Sequence, residues 1–230
     1  MPPLPDEPAE PEDAVDDDAV STEEAVAASS ESKPERVRKR PRPGERRVQI
    51  LQTLAGMLEQ PGADRITTAA LAAKLDVSEA ALYRHFASKA QMFEGLIEFI
   101  ELTVFTLLNQ ILERETASNV RAQKMLTVLL QFAEKNPGMA RVMVGDALVF
   151  ENERLLARMN QFFERFESQL RQALRGMADA AGSATPTVDA NAQASVLTAF
   201  AVGRLQRFAR SGFKRSPTEH LDAALRMLVP

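Results

Sequence analysis

The sequence predicts an all-α protein, with a three-helix unit carrying a helix-turn-helix followed by a larger helical body. Three observations carry this. Apolar residues recur at helical spacing from about residue 44 onward. No alternating apolar run of the kind that makes a strand interrupts them. The segment from Ile66 to Phe86 reads as two short helices joined by a tight corner. Ile66, Leu71 and Leu75 form one apolar edge, Val77, Leu82 and Phe86 the other. Asp76 suits the corner because Asp tolerates left-handed backbone angles. Ser78 suits an N-cap, its hydroxyl accepting a backbone N–H of the second helix. Leu82 and Phe86, four apart, face inward and turn Tyr83 and Arg84 outward. A helix-turn-helix sets the N-terminal part of its second helix against base edges.

The elements follow in order. A first helix is expected from about Gly44 to Gln60, with Val48, Leu51, Leu54, Ala55 and Leu58 inward and Pro61-Gly62 ending it. After the helix-turn-helix, Ser88 caps a long helix to about Glu113, whose Phe93, Leu96, Ile97, Ile100, Val104, Leu107, Leu108 and Ile111 share one face. Another helix runs from about Ser118 to the stop at Asn136-Pro137-Gly138, and a shorter one follows. A long helix over roughly 147–175 carries Leu148, Leu155, Met159, Phe162, Phe166 and Leu170 as a stripe. Residues 176–187 read as a flexible connection, and Asp189 to Arg210 as a helix rich in small residues. A last helix after Pro217-Thr218 carries Leu221, Leu225 and Leu228. The domain expectation is an acidic tail and basic arm over 1–44, a DNA-binding domain over 45–90, and a dimerisation and partner-binding domain over 91–230.

Charge is unevenly spread. Residues 1–32 carry 11 acidic and no basic side chains, 33–47 carry 8 basic and 2 acidic, and the remainder is nearly balanced. The first block reads as a disordered, solvated tail, and the second as an arm suited to neutralising phosphates. The chain has no Cys and only two His, which excludes a disulfide frame, a thiolate metal site and a multi-histidine centre. No uninterrupted apolar run approaches about 18 residues, and the acidic, Pro-rich start is the wrong flank for a secretory signal. The expectation is a cytoplasmic protein with no membrane span and no cofactor. No activated nucleophile, metal set or phosphate-cradling Gly loop supports an enzyme.

The DNA-binding candidates are Arg46, beyond the arm over 33–42 and at the start of the first helix, and Thr67 and Thr68 at the start of the first motif helix. Ser78, Glu79, Ala80, Ala81, Tyr83, Arg84, His85 and Lys89 complete the set. Thr67 or Thr68 either caps its helix or contacts phosphate; Ala70 and Leu71 cannot complete a capping box, so N–H groups stay available for an anion. Arg84 can pair bidentately with guanine. Tyr83 more often bonds phosphate. Glu79 reads a cytosine amine or faces solvent. His85 contacts phosphate or packs, and Lys89, beyond the motif, touches backbone. On the long fourth helix Phe99 lies well off the main apolar stripe, with Met92 and Leu102 on a second small patch. That patch either packs on the DNA-binding helices or is an exposed partner site.

The spelling Val77-Ser78-x-x-x-Leu82-Tyr83-x-His85-Phe86-x-x-Lys89 resembles the signature of TetR-like regulators, with Asp76 where that family usually has Gly. Met92-Phe93-x-x-Leu96-Ile97-Glu98-Phe99-Ile100-Glu101, Asn136-Pro137-Gly138 and Arg207-Phe208-x-Arg210-Ser211-x-Phe213-Lys214 resemble the nucleoid occlusion branch of that family. The resemblance covers about residues 44–220. It implies a homodimer that binds palindromic double-stranded chromosomal sites, in higher-order assemblies on DNA in some settings, is nucleoid-associated, and antagonises the division protein FtsZ when DNA-bound. It also implies that Phe99, Lys135 and Asn136 meet FtsZ. The last two long helices, about 147–175 and 189–210, would pair into a four-helix bundle, with Phe163, Phe200 and Leu205 at the interface. The rival expectation is a repressor of the same family that releases DNA on binding a small molecule in its C-terminal core.

Overall fold

The computed structural model describes residues 44–60 and 65–229. The acidic tail, nearly all of the basic arm and the Pro61-Gly62 stop lie outside the described residues. Among the described residues all regular structure is helical: α1 Glu45–Leu58, α2 Thr68–Leu75, α3 Glu79–Tyr83, α4 Lys89–Arg114, α5 Ser118–Lys135, α6 Pro137–Met143, α7 Glu153–Ala180, α8 Pro186–Arg210 and α9 Leu221–Leu228.

α1 buries Ile50, Leu54 and Leu58. Val48 is exposed, contrary to expectation, because a stripe at i, i+4 and i+8 from Ile50 leaves it on the opposite face. α2 packs on both α1 and α3, and Leu71, Leu82 and Phe86 are buried in the same core. α4 begins one residue after Ser88, whose hydroxyl accepts the Gln91 N–H at 3.2 Å. By length and composition α4 could cross a membrane. Its apolar stripe is instead core: Phe93, Leu96, Ile97, Ile100, Val104 and Leu108 are buried. Leu107, expected inside, is partly exposed, and Met92 and Phe105 are inside in addition.

Asn136-Pro137-Gly138 ends α5 and starts α6 at once, because Pro137 occupies the first turn, where a missing N–H costs nothing. Gly138 permits the closest helix approach: a Cβ there would lie 2.1 Å from the Ala55 carbonyl oxygen of α1.

The next long helix starts later than expected. A 3-10 turn at Asp146–Leu148 precedes it, and Asn152 caps α7 by accepting the Arg154 N–H at 3.0 Å. Leu148 is buried in that turn, not on the helix stripe. α7 then runs to Ala180, so the connection expected over 176–187 shrinks to 181–185.

The directions of these helices follow from their pairings. Lys89 meets Glu151, Glu94 meets Arg154 at 2.6 Å, and Glu101 holds Arg158 at 2.6 and 3.0 Å. Residue numbers rise together, so α4 and α7 are parallel. The Arg121 guanidinium bonds the Leu112 carbonyl at 3.2 Å, and Phe99 packs on Phe132, so α5 runs back against α4. The short connection returns α8 antiparallel to α7, with Arg171 3.5 Å from Asn191. The N-termini of α4 and α7 and the C-termini of α5 and α8 therefore gather at the end that carries α2 and α3.

Candidate nucleic-acid interface

The corner of the helix-turn-helix is a Schellman closure. Asp76 sits in the left-handed region at φ 54° and its N–H bonds the Ala73 carbonyl at 3.1 Å, while the Val77 N–H bonds that of Ala72 at 3.0 Å. Two capping hydroxyls fix the helices it joins. Thr67 accepts the Ala70 N–H at 3.1 Å, and Ser78 accepts the Ala81 N–H at 3.3 Å. The expected roles of Asp76 and Ser78 hold, and Thr67 is the cap of the threonine pair. Thr68 is therefore not the cap. Its hydroxyl donates to Glu79 at 2.5 Å and ties the first turn of α2 to the first turn of α3. Glu79 is exposed, in keeping with its solvent reading, and accepts this bond from within the motif.

α3 is short. Its helix ends at Tyr83, and Arg84 is its C-cap. Leu82 and Phe86 are each 1% exposed and anchor it. Ser78, Glu79, Ala80, Tyr83, Arg84 and His85 are exposed, whereas Ala81 is half-buried. Arg46 lies half-buried on α1 and bonds the Gln49 side chain at 2.7 Å. Arg47, exposed near the start of α1, packs back on the motif. Its guanidinium lies 4.1 Å from the Phe86 ring centroid and donates to the His85 carbonyl at 2.9 Å. That lock was not legible, since nothing in a run of basic residues marks the one that turns back. Lys89, expected at the DNA backbone, is half-buried, pairs with Glu151 and lies 5.7 Å from the Phe93 ring centroid. Arg65, Lys74 and Arg84 have no ion-pair partner among the described residues.

The second candidate surface divides. Met92 is fully buried and belongs to the core, because it faces the same side as Leu96. Phe99 and Leu102 are 45% and 68% exposed. The Phe99 ring lies 6.2 Å from that of Phe132, and the Asn136 amide donates to the Phe132 carbonyl at 2.7 Å. Phe99 and Asn136 thus meet at one residue, with exposed Lys135 adjacent in the chain. On the last long helices Phe163 and Phe200 are half-buried, but Leu205 is fully buried in its own chain and cannot be an interface residue. The outward row of α8 is instead Val188, Ala192, Ser195, Val196, Ala199 and Gly203.

The family model for bacterial regulatory proteins of the tetR family matches residues 50–96, and a tetracyclin repressor-like C-terminal domain model of SlmA-like type matches 116–229. The chain is 54% identical over 177 residues to the nucleoid occlusion factor SlmA of Alteromonas mediterranea, covering 77% of this chain and 90% of that protein. It is also 54% identical over 183 residues to SlmA of Aliivibrio fischeri, covering 79% and 93%. Among solved structures it resembles the transcriptional regulator FadR from Bacillus subtilis in complex with stearoyl-CoA, with TM-score 0.63, 13% identity and coverage of 79% and 97%. AibR in complex with isovaleryl coenzyme A and operator DNA gives TM-score 0.63, 18% identity and coverage of 81% and 99%. At these identities the structures speak for the fold alone.

Proposed function

Because the chain belongs to the SlmA family of nucleoid occlusion factors, within the TetR-like regulators, we propose that it binds palindromic chromosomal DNA as a homodimer and, once bound, antagonises FtsZ assembly. Its family is one of DNA-binding regulators, not enzymes. The observation that carries the DNA reading is the outward row Ser78, Glu79, Ala80, Tyr83 and Arg84 on a helix pinned from behind by Leu82 and Phe86. Arg84 and Tyr83 reach base edges or phosphates. Arg46, His85 and the start of α2 at Thr67 and Thr68 supply backbone contacts. A two-fold dimer sets two such helices about one turn of DNA apart, which selects a palindrome.

Phe99, Lys135 and Asn136 are the FtsZ surface in this reading. Lys89 links the two surfaces. A DNA phosphate at its ammonium competes with Glu151, and the α4–α7 ion pairs carry that change into the body, shifting the population towards an FtsZ-competent arrangement.

The test is FtsZ polymer sedimentation with and without a chromosomal fragment recovered by the protein. Antagonism appears only with the fragment present. Phe99→Ala removes it while DNA affinity stays the same; equal loss of both would show that Phe99 is structural and sink the partner surface. A small-molecule-responsive repressor is the weaker reading. In the body Phe105, Phe162 and Phe163 pack ring on ring at 5.1–5.2 Å, as core side chains do.

A further inference from the structure

The segment from Arg207 to Arg215 has no part in the function proposed above, yet its loop is held in one shape. The Phe208 and Phe213 rings pack 5.2 Å apart, and the Phe213 N–H bonds the Phe208 carbonyl at 3.0 Å. Phe213 takes a left-handed φ of 64°, a conformation that a non-glycine residue keeps only when its surroundings impose it. The Ser211 hydroxyl donates to the Phe208 carbonyl and accepts the Arg215 N–H, both at 2.9 Å. These bonds bring Arg215 of the loop beside Arg207 and Arg210 of α8, and the three line one depression of about 450 Å³ together with Gly203, Gln206 and Ser211.

The depression is short of anions. Arg207 has a distant carboxylate partner, Glu219 at 3.8 Å. Arg210, Lys214 and Arg215 have none among the described residues. The neighbouring Arg204 guanidinium is held below its usual pKa, first by burial and then by the charge of Arg207. Clustered guanidiniums with few counter-charges bind an anion favourably, and their planar forks match phosphate oxygens. The helix directions put this C-terminal end of α8 at the end of the body that carries the helix-turn-helix.

We propose that this depression is a phosphate-binding site, occupied by backbone phosphates of duplex DNA running outside the helix-turn-helix footprint. The inference rests on the function proposed above only for the direction from which the DNA approaches. A free phosphate-bearing molecule has the same chemistry, and the experiment separates the two.

The test compares the wild type with Arg210→Gln/Arg215→Gln, two exposed side chains whose loss leaves the core untouched. The first arm measures affinity for an arbitrary-sequence duplex, longer than the motif's footprint, as a function of salt. Each lost phosphate contact lowers the slope of log K against log salt by about 0.9, so the double variant, which removes two arginines from each protomer of the dimer, should lose about two to four units of slope. The second arm titrates both proteins with inorganic pyrophosphate. A reduced slope without pyrophosphate binding supports DNA as the occupant. Pyrophosphate binding lost in the variant, with an unchanged slope, supports the site but assigns it to a free ligand.

An unchanged slope with no pyrophosphate binding overturns the proposal. So does conversion to monomer in sedimentation with an unchanged slope, which would make these arginines part of a contact between copies. Should the wild type bind no DNA at all, the helix-turn-helix reading fails, and the pyrophosphate arm still decides this one.

Discussion

At the contact of α1 with α6, a single missing side chain sets the distance. Any Cβ on Gly138 would collide with the Ala55 carbonyl oxygen, a backbone atom that cannot step aside without moving α1. Gly138→Ala should therefore cost about 1–3 kcal/mol, read by chemical denaturation, because it forces two helices apart. An unchanged midpoint would mean that α1 shifts freely on the body. Arg47 is the opposite case, an exposed charge with a structural task. Arg47→Ala loses a charge-assisted bond to the His85 carbonyl and the stacking on Phe86, worth about 1 kcal/mol in so open a place. Its signature would be lower stability with the salt slope of DNA binding unaltered, whereas a residue that contacts phosphate changes that slope. The Thr68–Glu79 bond makes these two candidates a pair. Substituting either should loosen the same helix-helix corner, so a double-mutant cycle should show coupling between them.

Among elements, the turn between α2 and α3 shows how one residue sets a geometry. Asp76 holds the left-handed position of the Schellman closure, where Gly pays no steric penalty and Ala pays about 1 kcal/mol or more. Asp76→Ala should lower stability and DNA affinity more than Asp76→Gly, which keeps the left-handed corner without strain. The α4–α7 ion pairs act at the same scale. Glu101 raises the pKa of Arg158 chiefly by its bidentate hydrogen bonds. A raised pKa means that the stabilisation from the Arg158 charge is complete below the ordinary guanidinium value and is lost only as pH rises through the higher folded value. Unfolding free energy should thus show no loss from Arg158 titration around neutral pH. The Lys89–Glu151 pair tests the switch itself. If it holds the inactive arrangement, Glu151→Gln should give FtsZ antagonism without DNA, visible in polymer sedimentation. Continued dependence on DNA would remove Lys89 from the route.

In the whole molecule, the parallel α4–α7 pair and the returning α5 and α8 bring the termini of four helices to one end, beside the helix-turn-helix. The opposite consequence is a long outward row on α8 of small and apolar side chains, Val188, Ala192, Ser195, Val196 and Ala199. Such a row suits close approach of a second copy, and it replaces Leu205 as the interface expected for α8. Val196→Asp should then convert dimer to monomer in sedimentation and weaken palindromic DNA binding far more than binding to a half-site. A monomeric wild type, or a variant still dimeric, would count against this face.

What the sequence determined by itself was local. Helical periodicity, the capping hydroxyls of Ser78 and Ser88, and the left-handed tolerance of Asp76 depend on neighbours within a few residues, so they could be read without a fold. Their outcome, the corner and the buried Leu82 and Phe86, followed. What only the tertiary structure decided were partnerships between distant residues. Arg47 turned to Phe86, Thr68 to Glu79 and Lys89 to Glu151, and Met92 and Leu205 went into the core. Each depends on which element lies opposite, and a one-dimensional pattern does not hold that information. The start of α7 also escaped, since the 3-10 turn before Asn152 continues the apolar pattern while breaking the helix.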